Sequence, residues 1–412
     1  MTHIIDQISH LDKILILGFA REGQSTERFL KQRFPHLKID TSDQKDNPDY
    51  LKHLQEYKLV IKTPGISPHK PEIVAAKKNG VIFSSHTQLF FEVCPSKNII
   101  GITGTKGKST TTSIIYEVLK ANHKPAVLVG NIGKPALDFL SDISPNTWVV
   151  MELSSYQLMD MSASPHIAVL QNIYPDHLDY HSDFAEYKNA KLNITKYQNA
   201  NDYLITQLDV PTKAKKTIFS ISDFDPQVKT KLIGDHNKLN IIPILKISDI
   251  LKLSKTLTHQ AIENFQPLET RLELVATKNG IGFYADTLAT IPQATIAAID
   301  GLSSEVETLI AGGHDRKQNY SDLAKKILNS NIKNLILFPA TGSRIWEEVS
   351  KLEPRSINHF AVTNMSDAVK IALHQTTSGK ICLLSPAAPS FTLFKDYHDE
   401  YEQYKKFIEQ SQ

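Results

Sequence analysis

A glycine-rich turn in the first third of the chain constrains the fold most. Residues 101–110 read GITGTKGKST, follow the apolar run NII, and lead into KSTTTSIIYEVLKAN, which has the apolar spacing of a helix. A turn of this kind, between a buried strand and a helix, presents backbone N–H groups and a helix N-terminus to phosphate groups. The segment therefore predicts a phosphate loop.

Two side chains of this loop have predicted chemical roles. Lys108 supplies a compact positive charge for the terminal phosphates of a nucleotide, and Ser109 supplies a hydroxyl for Mg²⁺. The general pattern places a glycine five residues before Gly107, and that position is Ile102. The alternative is a capped turn that binds no nucleotide. The residues predicted to contact ATP in this loop are Gly104, Thr105, Lys106, Gly107, Lys108, Ser109 and Thr110.

Strand and helix patterns alternate along the whole chain and predict an α/β protein. The strands of the middle region, such as HIAVLQNI, are apolar throughout, which is typical of a parallel sheet covered on both faces. Asn279-Gly280 lies between two strand-like runs and predicts a β-hairpin. We predict three domains: an N-terminal Rossmann-like domain (1–95), a central parallel-sheet ATPase domain (96–268) and a C-terminal Rossmann-like domain (269–412).

Composition excludes several classes of function. Of the 412 residues, 46 are basic and 44 acidic, so the net charge of +2 gives no electrostatic case for nucleic acid as a partner. No run of about 18 apolar residues is present, and the N-terminus does not resemble a signal peptide. We therefore expect a cytoplasmic protein without membrane insertion, whose two cysteines, Cys94 and Cys382, are buried and reduced. We also expect the protein to be a monomer.

Three further segments carry candidate chemistry. Glu152 ends the apolar strand TWVVMELSS, a suitable position for a Mg²⁺ ligand; the alternative is a carboxylate that caps a helix or belongs to a turn. His177 belongs to the polar cluster DHLDYH (176–181), which predicts either a metal site or a capped turn. Lys191 lies on a predicted helix, and its pattern alone favours a solvated helix face.

Taken in order, these motifs resemble the Mur ligase family over nearly the whole chain. TGTKGKST resembles the phosphate loop of that family, including the missing first glycine. The other matching segments are NIG (131–133), ELSSYQL (152–158), NIYPDHLDYH (172–181), NAKLNI (189–194), GDHNKLN (234–240), RLE (271–273), ADTLAT (285–290), AGGHDR (311–316) and LSPAAPSF (384–391).

This resemblance implies an ATP-dependent ligase of peptidoglycan synthesis. Its most similar branch joins D-glutamate to UDP-N-acetylmuramoyl-L-alanine through an acyl phosphate, with ATP and two Mg²⁺ ions. A branch that uses L-glutamate is the main alternative. Less favoured alternatives are an enzyme similar to folylpolyglutamate synthase, whose phosphate loop lies near the chain start, and a homologue that binds a nucleotide sugar without catalysis.

The resemblance also assigns roles to individual residues. It implies that Ser109, Glu152 and His177 bind Mg²⁺, and that Lys191 is carbamylated and completes the metal site. Carbamylation requires a neutral amine, so the surroundings must lower the pKa of this lysine. The residues implied for the adenine, the phosphates and the ribose of ATP are Asn237, Asn240, Arg271 and Asp286.

Contacts to the other two substrates follow from the same resemblance. The residues implied for the UDP-linked substrate are Ser42, Asp43, Thr63, Asn131 and Ser154. Those implied for glutamate are Thr290, Ser390, Tyr397 and a cation supplied by Arg316 or Lys317. This pocket departs from the family pattern, because Leu288 replaces a lysine, Ile291 replaces an asparagine, and Pro389 ends a run that is usually Ala-Cys-Ala.

Overall fold

The structure, a computed structural model, describes residues 3–352 and 356–411. The chain forms two compact units. Residues up to 227 together with 240–262 form the first unit, and residues 228–239 together with those from 263 onward form the second. The first unit contains two β-sheets and the second contains one.

The N-terminal sheet is fully parallel, in the order β2-β1-β3-β4. Its apolar strand β1 is buried between helices, which follows from the uninterrupted run ILIL. The strands are β1 (Lys13–Leu17), β2 (Lys38–Ser42), β3 (Leu59–Lys62) and β4 (Ile82–Ser84); the helices are α1 (Ile4–Ile8), α2 (Arg21–Arg33), α3 (Pro71–Lys78) and α4 (His86–Val93), with a 3₁₀ helix at Leu54–Glu56.

The central sheet of the first unit is also fully parallel, in the order β10-β9-β8-β5-β7-β6. Its strands are β5 (Ile99–Thr103), β6 (Ala126–Gly130), β7 (Trp148–Glu152), β8 (Ile167–Leu170), β9 (Tyr203–Thr206) and β10 (Lys215–Ile218). Its helices are α5 (Lys108–Ala121), α6 (Ser155–Met159) and α7 (Phe184–Lys196), with 3₁₀ helices at Ala136–Asp142 and Ile221–Asp223. Helices α8 (Asp235–Ile250) and α9 (Lys255–Asn264) belong mainly to this unit, but residues 235–239 and 263–264 belong to the second.

The sheet of the second unit has the order β11-β12-β16-β13-β14-β15 and is parallel except for β11. Its strands are β11 (Glu273–Lys278), β12 (Ile281–Ala285), β13 (Val306–Gly312), β14 (Asn334–Phe338), β15 (Asn358–Ala361) and β16 (Ile381–Leu384). Its helices are α10 (Pro292–Leu302), α11 (Ser321–Leu328), α12 (Thr341–Ser350), α13 (Met365–Gln375) and α14 (Tyr397–Gln410), with 3₁₀ helices at Ser303–Glu305 and Ser390–Thr392.

The predicted fold class is confirmed, since three separate sheets of mainly parallel strands alternate with helices. The predicted hairpin is confirmed as well: β11 and β12 are antiparallel, and both residues of the turn have positive φ, 53° at Asn279 and 76° at Gly280. The domain boundaries proposed from the sequence remain predictions. Among the described residues, none of the helices is long and apolar enough to cross a membrane.

Within the first unit, α2 contacts the chain that follows β6. Arg28 Nη2 lies 3.0 and 2.9 Å from the two carboxylate oxygens of Asp138. His86 is buried behind this contact, where its Nδ1 lies 3.0 Å from the hydroxyl of Thr26 and its Nε2 accepts the backbone N–H of Leu137 at 3.4 Å. These bonds join the N-terminal part of the unit to its central part.

Candidate active site

The phosphate loop joins β5, a central strand, to α5, and its backbone requires glycine. Gly107 has a φ of 89°, and a Cβ there would lie 2.0 Å from Oδ1 of Asn240. Asn172, which follows β8, braces the loop from the other side. Its Oδ1 accepts the N–H of Lys106 at 2.9 Å and its Nδ2 donates to the carbonyl of the same residue at 3.1 Å. The loop is therefore held in shape by side chains of the central sheet.

Two lysine amines converge on one carbonyl of this loop. The Nζ of Lys108 donates to the carbonyl oxygen of Gly104 at 3.1 Å, and the Nζ of Lys191, on α7, donates to the same oxygen at 2.8 Å. Lys191 is only 2% exposed. Burial lowers its pKa well below the ordinary 10.5, and the charge of Lys108 acts in the same direction. An amine in this position is neutral far more readily than one on a helix surface.

Glu152 ends β7, next to β5 in the sheet, and is 2% exposed. Its Oε1 accepts the side-chain amide of Asn131 at 2.7 Å. Its Oε2 is buried and has no hydrogen-bond partner among the described residues. Burying a carboxylate oxygen without a partner costs free energy unless a cation or a hydrogen-bond donor binds to it.

His177 lies in the left-handed region, with a φ of 55°, in the loop between β8 and α7. Its Nδ1 is 2.6 Å from the hydroxyl of Tyr156 on α6. In the tautomer that carries a proton on Nδ1, the imidazole donates to this hydroxyl and Nε2 keeps its lone pair. The neighbouring Asp176 is 3% exposed, and one of its oxygens lies 4.0 Å from Nζ of Lys106.

These residues fit Mg²⁺, a cation that prefers oxygen ligands and keeps several water molecules. The donors available are the unpartnered Oε2 of Glu152, the hydroxyl of Ser109 in the first turn of α5, and the imidazole of His177. Within residues 3–352 and 356–411, no group of three His, Cys, Asp or Glu side chains stands ready to hold a metal. A Mg²⁺ ion held there would complete its coordination with water molecules or with the phosphates of a nucleotide.

Asn237 and Asn240 both lie on α8 and have different partners. The amide of Asn240 is 6% exposed, and its Oδ1 accepts from Nε2 of Gln171 at 3.1 Å. Asn237 donates its side-chain amide to the carbonyl of Ile233 at 2.8 Å. Asn240 lies against the phosphate loop, since a Cβ at Gly107 would be 2.0 Å from its Oδ1, whereas Asn237 bonds to the chain just before α8.

The residues predicted for the UDP-linked substrate lie at the carboxyl ends of the parallel strands of the first unit, where ligands of such sheets bind. The turn after β1 meets the loop after β3, because a Cβ at Gly18 would lie 2.0 Å from the hydroxyl oxygen of Thr63. Asp43 shapes the first of these turns by accepting the N–H of Phe19 at 2.6 Å. The hydroxyl of Ser42 donates to the carbonyl of Tyr50 at 2.9 Å.

Ser154, also predicted to contact this substrate, caps α6. Its hydroxyl accepts the N–H of Gln157 at 3.2 Å and donates to the side chain of the same residue at 3.1 Å, which is a capping box. Its position next to Glu152 is therefore fixed by the start of the helix.

In the second unit, the residues predicted for glutamate lie along the carboxyl edge of one sheet. Thr290 follows β12, Arg316 follows β13, Ser390 follows β16, and Tyr397 is the first residue of α14. The loops after β13 and β16 touch, since the N–H of His314 donates to the carbonyl of Pro389 at 2.7 Å. Asp286 begins the loop after β12, and Arg271 lies just before β11.

Several contributors to the first-unit site were missed from the sequence. Asn172 and Gln171 brace the phosphate loop and α8, and Tyr156 holds His177. Two of them lie inside recognised motifs, ELSSYQL and NIYPDHLDYH, so motif membership was the available signal. Gln171, just before the second motif, gave none, because its contacts are made with residues about 60 or more positions away.

Comparison with known proteins identifies the class of this molecule. Residues 102–225 match the Mur ligase middle domain, and residues 270–388 match the Mur ligase glutamate ligase domain. The UDP-N-acetylmuramoylalanine–D-glutamate ligase of Acetivibrio thermocellus is 33% identical over 395 residues, covering 87% of this chain and 84% of that protein. The UDP-N-acetylmuramoyl-L-alanine–L-glutamate ligase of Xanthomonas axonopodis pv. citri is 30% identical and covers 95% and 94%.

A solved structure gives the same fold. The UDP-N-acetylmuramate-alanine ligase of Thermotoga maritima superimposes with a TM-score of 0.60 at 18% identity, over 96% of this chain and 98% of that one. A phosphate loop on a parallel sheet defines a nucleotide-dependent enzyme. The chain belongs to the Mur ligase family. The resemblance drawn from the sequence motifs is confirmed.

Proposed function

We propose that this enzyme joins D-glutamate to UDP-N-acetylmuramoyl-L-alanine at the expense of ATP, in peptidoglycan biosynthesis. The observation that carries the proposal is the convergence of Lys108 and Lys191 on the carbonyl of Gly104, in a loop whose sheet also positions the buried Glu152. The relatives named for glutamate addition support the choice of amino acid.

The reaction proceeds in two steps. The γ-phosphoryl group of ATP moves to the carboxylate of the UDP-linked substrate, giving an acyl phosphate and ADP. The amine of glutamate then attacks the acyl carbon, loses a proton, and forms an amide as the bond to phosphate breaks. Ser109, Glu152 and His177 would hold Mg²⁺, which would supply positive charge to the phosphates. Lys108 supplies a fixed positive charge for the transferring phosphoryl group.

Lys191 is proposed to carry a carbamate. A neutral lysine amine takes up CO₂ and releases a proton, which turns a cation into an anion with two oxygen donors. Complete burial favours the neutral amine, and the nearby ammonium groups of Lys108 and Lys106 stabilise the anion once it has formed. The carbamate oxygens would add to the metal ligands that the described side chains lack.

For glutamate, we propose a pocket formed by Thr290, Arg316, Ser390 and Tyr397. Arg316 is favoured over Lys317 as the cation, since Lys317 lines a cavity of about 340 Å³ together with Arg344, whereas Arg316 does not line it. A guanidinium also suits a carboxylate, because its planar fork donates two parallel hydrogen bonds. For ATP, Asn237, Asn240, Arg271 and Asp286 remain proposed contacts.

L-glutamate is the second candidate substrate. Leu288 and Ile291 place apolar side chains where the family pattern has polar ones, and the Xanthomonas relative is named for the L isomer. We also propose that the protein is a cytoplasmic monomer with three domains, formed by residues 1–95, 96–268 and 269–412.

A folylpolyglutamate synthase is a less favoured function for this chain, because a four-stranded parallel sheet with its own turns precedes the phosphate loop.

One assay tests the proposal. The protein is incubated with ATP, Mg²⁺ and UDP-N-acetylmuramoyl-L-alanine, and phosphate release and the mass of the product are measured with D-glutamate, L-glutamate and a panel of other amino acids. The expected result is an amide product with D-glutamate. A clear preference for L-glutamate would confirm the reaction but change the isomer of the substrate. The absence of product with both isomers would contradict the proposed function.

A further inference from the structure

Helix α6 connects the two sheets of the first unit through its polar side chains. Nε2 of Gln157 donates to Oε1 of Glu22, at the start of α2, at 2.8 Å. Asp160, which ends α6, accepts from the buried Nζ of Lys62, at the end of β3, at 3.0 Å. The helix that follows Glu152 is thus attached to the sheet that carries the loops predicted to bind the UDP-linked substrate.

Tyr180 provides a third connection, directly to one of those loops. Its hydroxyl donates to the carbonyls of Pro64 and Ile66, at 2.7 and 3.1 Å. Burial raises the pKa of this hydroxyl, and the carboxylate of Asp160 acts in the same direction, so it remains a donor over the physiological pH range. The 63–66 loop therefore carries carbonyls whose position is fixed by a residue of the DHLDYH segment.

The ring of Tyr180 continues this connection towards His177. It packs on the ring of Tyr156, with 4.0 Å between the centroids, and the hydroxyl of Tyr156 lies 2.6 Å from Nδ1 of His177. A histidine that binds a metal through one ring nitrogen is oriented by the hydrogen bond at its other nitrogen. Two tyrosines thus link the carbonyls of the 63–66 loop to the orientation of His177.

We propose that Tyr180 is a positioning residue through which a nucleoside diphosphate bound at the 63–66 loop tightens the binding of a divalent cation at His177. This inference rests on the proposed function, which assigns the loop to the UDP-linked substrate and His177 to the metal. A ligand that holds the loop carbonyls in place also holds Tyr180, Tyr156 and the imidazole, so part of the ordering needed for the cation is already complete.

A purely structural role for Tyr180 predicts a different behaviour. If the ring only filled space, Tyr180→Phe would leave cation binding and its response to the nucleotide unchanged, because the ring stack remains. If the hydroxyl links nucleotide binding at the 63–66 loop to the cation site, the same substitution removes the effect of the nucleotide on the affinity for the cation, while the fold is retained. By linkage, the effect of the nucleotide on the cation must equal that of the cation on the nucleotide.

The test measures this coupling by binding, without turnover. Mn²⁺ is titrated by electron paramagnetic resonance in the presence of a non-hydrolysable ATP analogue, with and without UDP. UDP is used because it lacks the muramoyl carboxylate and cannot itself reach the metal through that group. We expect UDP to lower the Kd for Mn²⁺ in the wild type by about fivefold or more, and Tyr180→Phe to reduce this factor to below about twofold.

Two further variants complete the test. Tyr197→Phe is the matched control, since Tyr197 is 41% exposed and its hydroxyl has no partner among the described residues; it should keep the wild-type coupling. Tyr156→Phe removes the hydroxyl at Nδ1 of His177 and should both weaken Mn²⁺ binding and abolish the coupling. Thermal unfolding of each variant verifies that the fold is retained.

The outcomes separate the inference from the proposed function. Equal coupling in the wild type and Tyr180→Phe, or no coupling in a wild type that binds UDP, overturns the role of Tyr180. Retained coupling in Tyr156→Phe contradicts the route through that residue. A wild type that does not bind UDP at all contradicts the UDP-linked substrate as well, and the inference falls with it.

Discussion

Two buried lysines of the first unit have hydrogen-bond or ion-pair partners, whereas one buried glutamate of the second unit has none among the described residues. In the first unit, Lys62 is 1% exposed and is paired with Asp160, and Lys191 donates to the carbonyl of Gly104. In the second unit, Glu400 on α14 is completely buried, and within the described residues neither of its carboxyl oxygens has a hydrogen-bond partner. Burial raises its pKa well above 4.5, which favours the neutral acid.

The surroundings of the two candidate sites differ in the same way. The phosphate loop is enclosed by Asn172, Gln171 and Asn240, whereas Phe391, beside Ser390 in the second unit, is 59% exposed. A site whose polar groups are mostly satisfied is organised before its ligand arrives. The phosphate loop is therefore largely organised by its neighbours, and we propose that the second unit, where Phe391 is exposed, selects the amino acid.

Removal of the phosphate-loop cation should have the largest effect. Lys108→Ala leaves the phosphates without their fixed positive charge, and we expect phosphate release to fall by at least about 10²-fold. Lys120→Ala, near the end of the same helix and exposed, serves as the control and should retain activity. More than a tenth of wild-type activity in Lys108→Ala would contradict the assignment of this loop.

Lys191→Ala tests whether the buried lysine works as a carbamate. We expect loss of activity of about 10²-fold, partly restored by formate or acetate, because a small carboxylate can occupy the space of the carbamate oxygens. Lys196→Ala, in the last turn of the same helix, is the matched control. Wild-type rates in Lys191→Ala without additive would show that this lysine has no part in the reaction.

How far the sequence predicts these features depends on the range of the contacts involved. The phosphate loop and the Asn279-Gly280 hairpin follow from local patterns, since a glycine turn between regular elements has few alternatives. The burial of Lys191 does not, because its helix pattern favoured a solvated face and its partner Gly104 lies 87 residues away. Resemblance to the family, not the pattern, assigned it a role.

The same limit applies to Tyr180 and to the second unit. The bond from Tyr180 to Pro64 spans 116 residues, and only the tertiary structure brings the two together. In the second unit, β12, β13 and β16 predict where a ligand pocket lies, because ligands bind at the carboxyl ends of parallel strands. The isomer of glutamate depends on side chains of the connecting loops, whose placement has no periodic signal.

Acidic pH should destabilise the contact around His86 that connects the N-terminal and central parts of the first unit. Burial lowers the pKa of His86 from 6.5 to about 4. Between pH 6.5 and pH 4 the imidazole is therefore protonated in the unfolded chain but neutral in the folded one. The free energy of unfolding should fall by about 3 kcal/mol as the pH decreases through this range.

Urea unfolding at several pH values measures this loss. His86→Asn keeps a hydrogen-bonding group without an ionisable ring, so its free energy of unfolding should fall less than that of the wild type between pH 7 and pH 4. His10→Ala, an exposed site, should keep the wild-type dependence. Parallel pH profiles for wild type and His86→Asn would contradict the prediction.

A smaller effect is expected from the cation of the amino-acid pocket. Arg316→Ala should raise the KM for glutamate by about 30-fold, equivalent to about 2 kcal/mol for a lost charged hydrogen bond, with little change in the KM for ATP. Lys317→Ala is the control from the adjacent position. If Lys317→Ala raises the KM for glutamate and Arg316→Ala does not, the two assignments must be exchanged.

The smallest expected effect concerns the aspartates that cap one helix in each unit. Asp183 caps α7 of the first unit by accepting the N–H of Glu186 at 2.8 Å, and Asp396 caps α14 of the second unit by accepting the N–H groups of His398 and Asp399 at 3.0 and 2.9 Å. Replacing either aspartate by alanine should cost about 1 kcal/mol in the free energy of unfolding.

The kinetic consequences should differ, because Asp396 directly precedes Tyr397 in the proposed glutamate pocket. We expect Asp396→Ala to raise the KM for glutamate about threefold more than Asp183→Ala does, since a frayed first turn leaves Tyr397 less well placed. Equal KM values for glutamate in the two variants, at equal stability, would remove α14 from the amino-acid pocket and with it the functional contrast between the units.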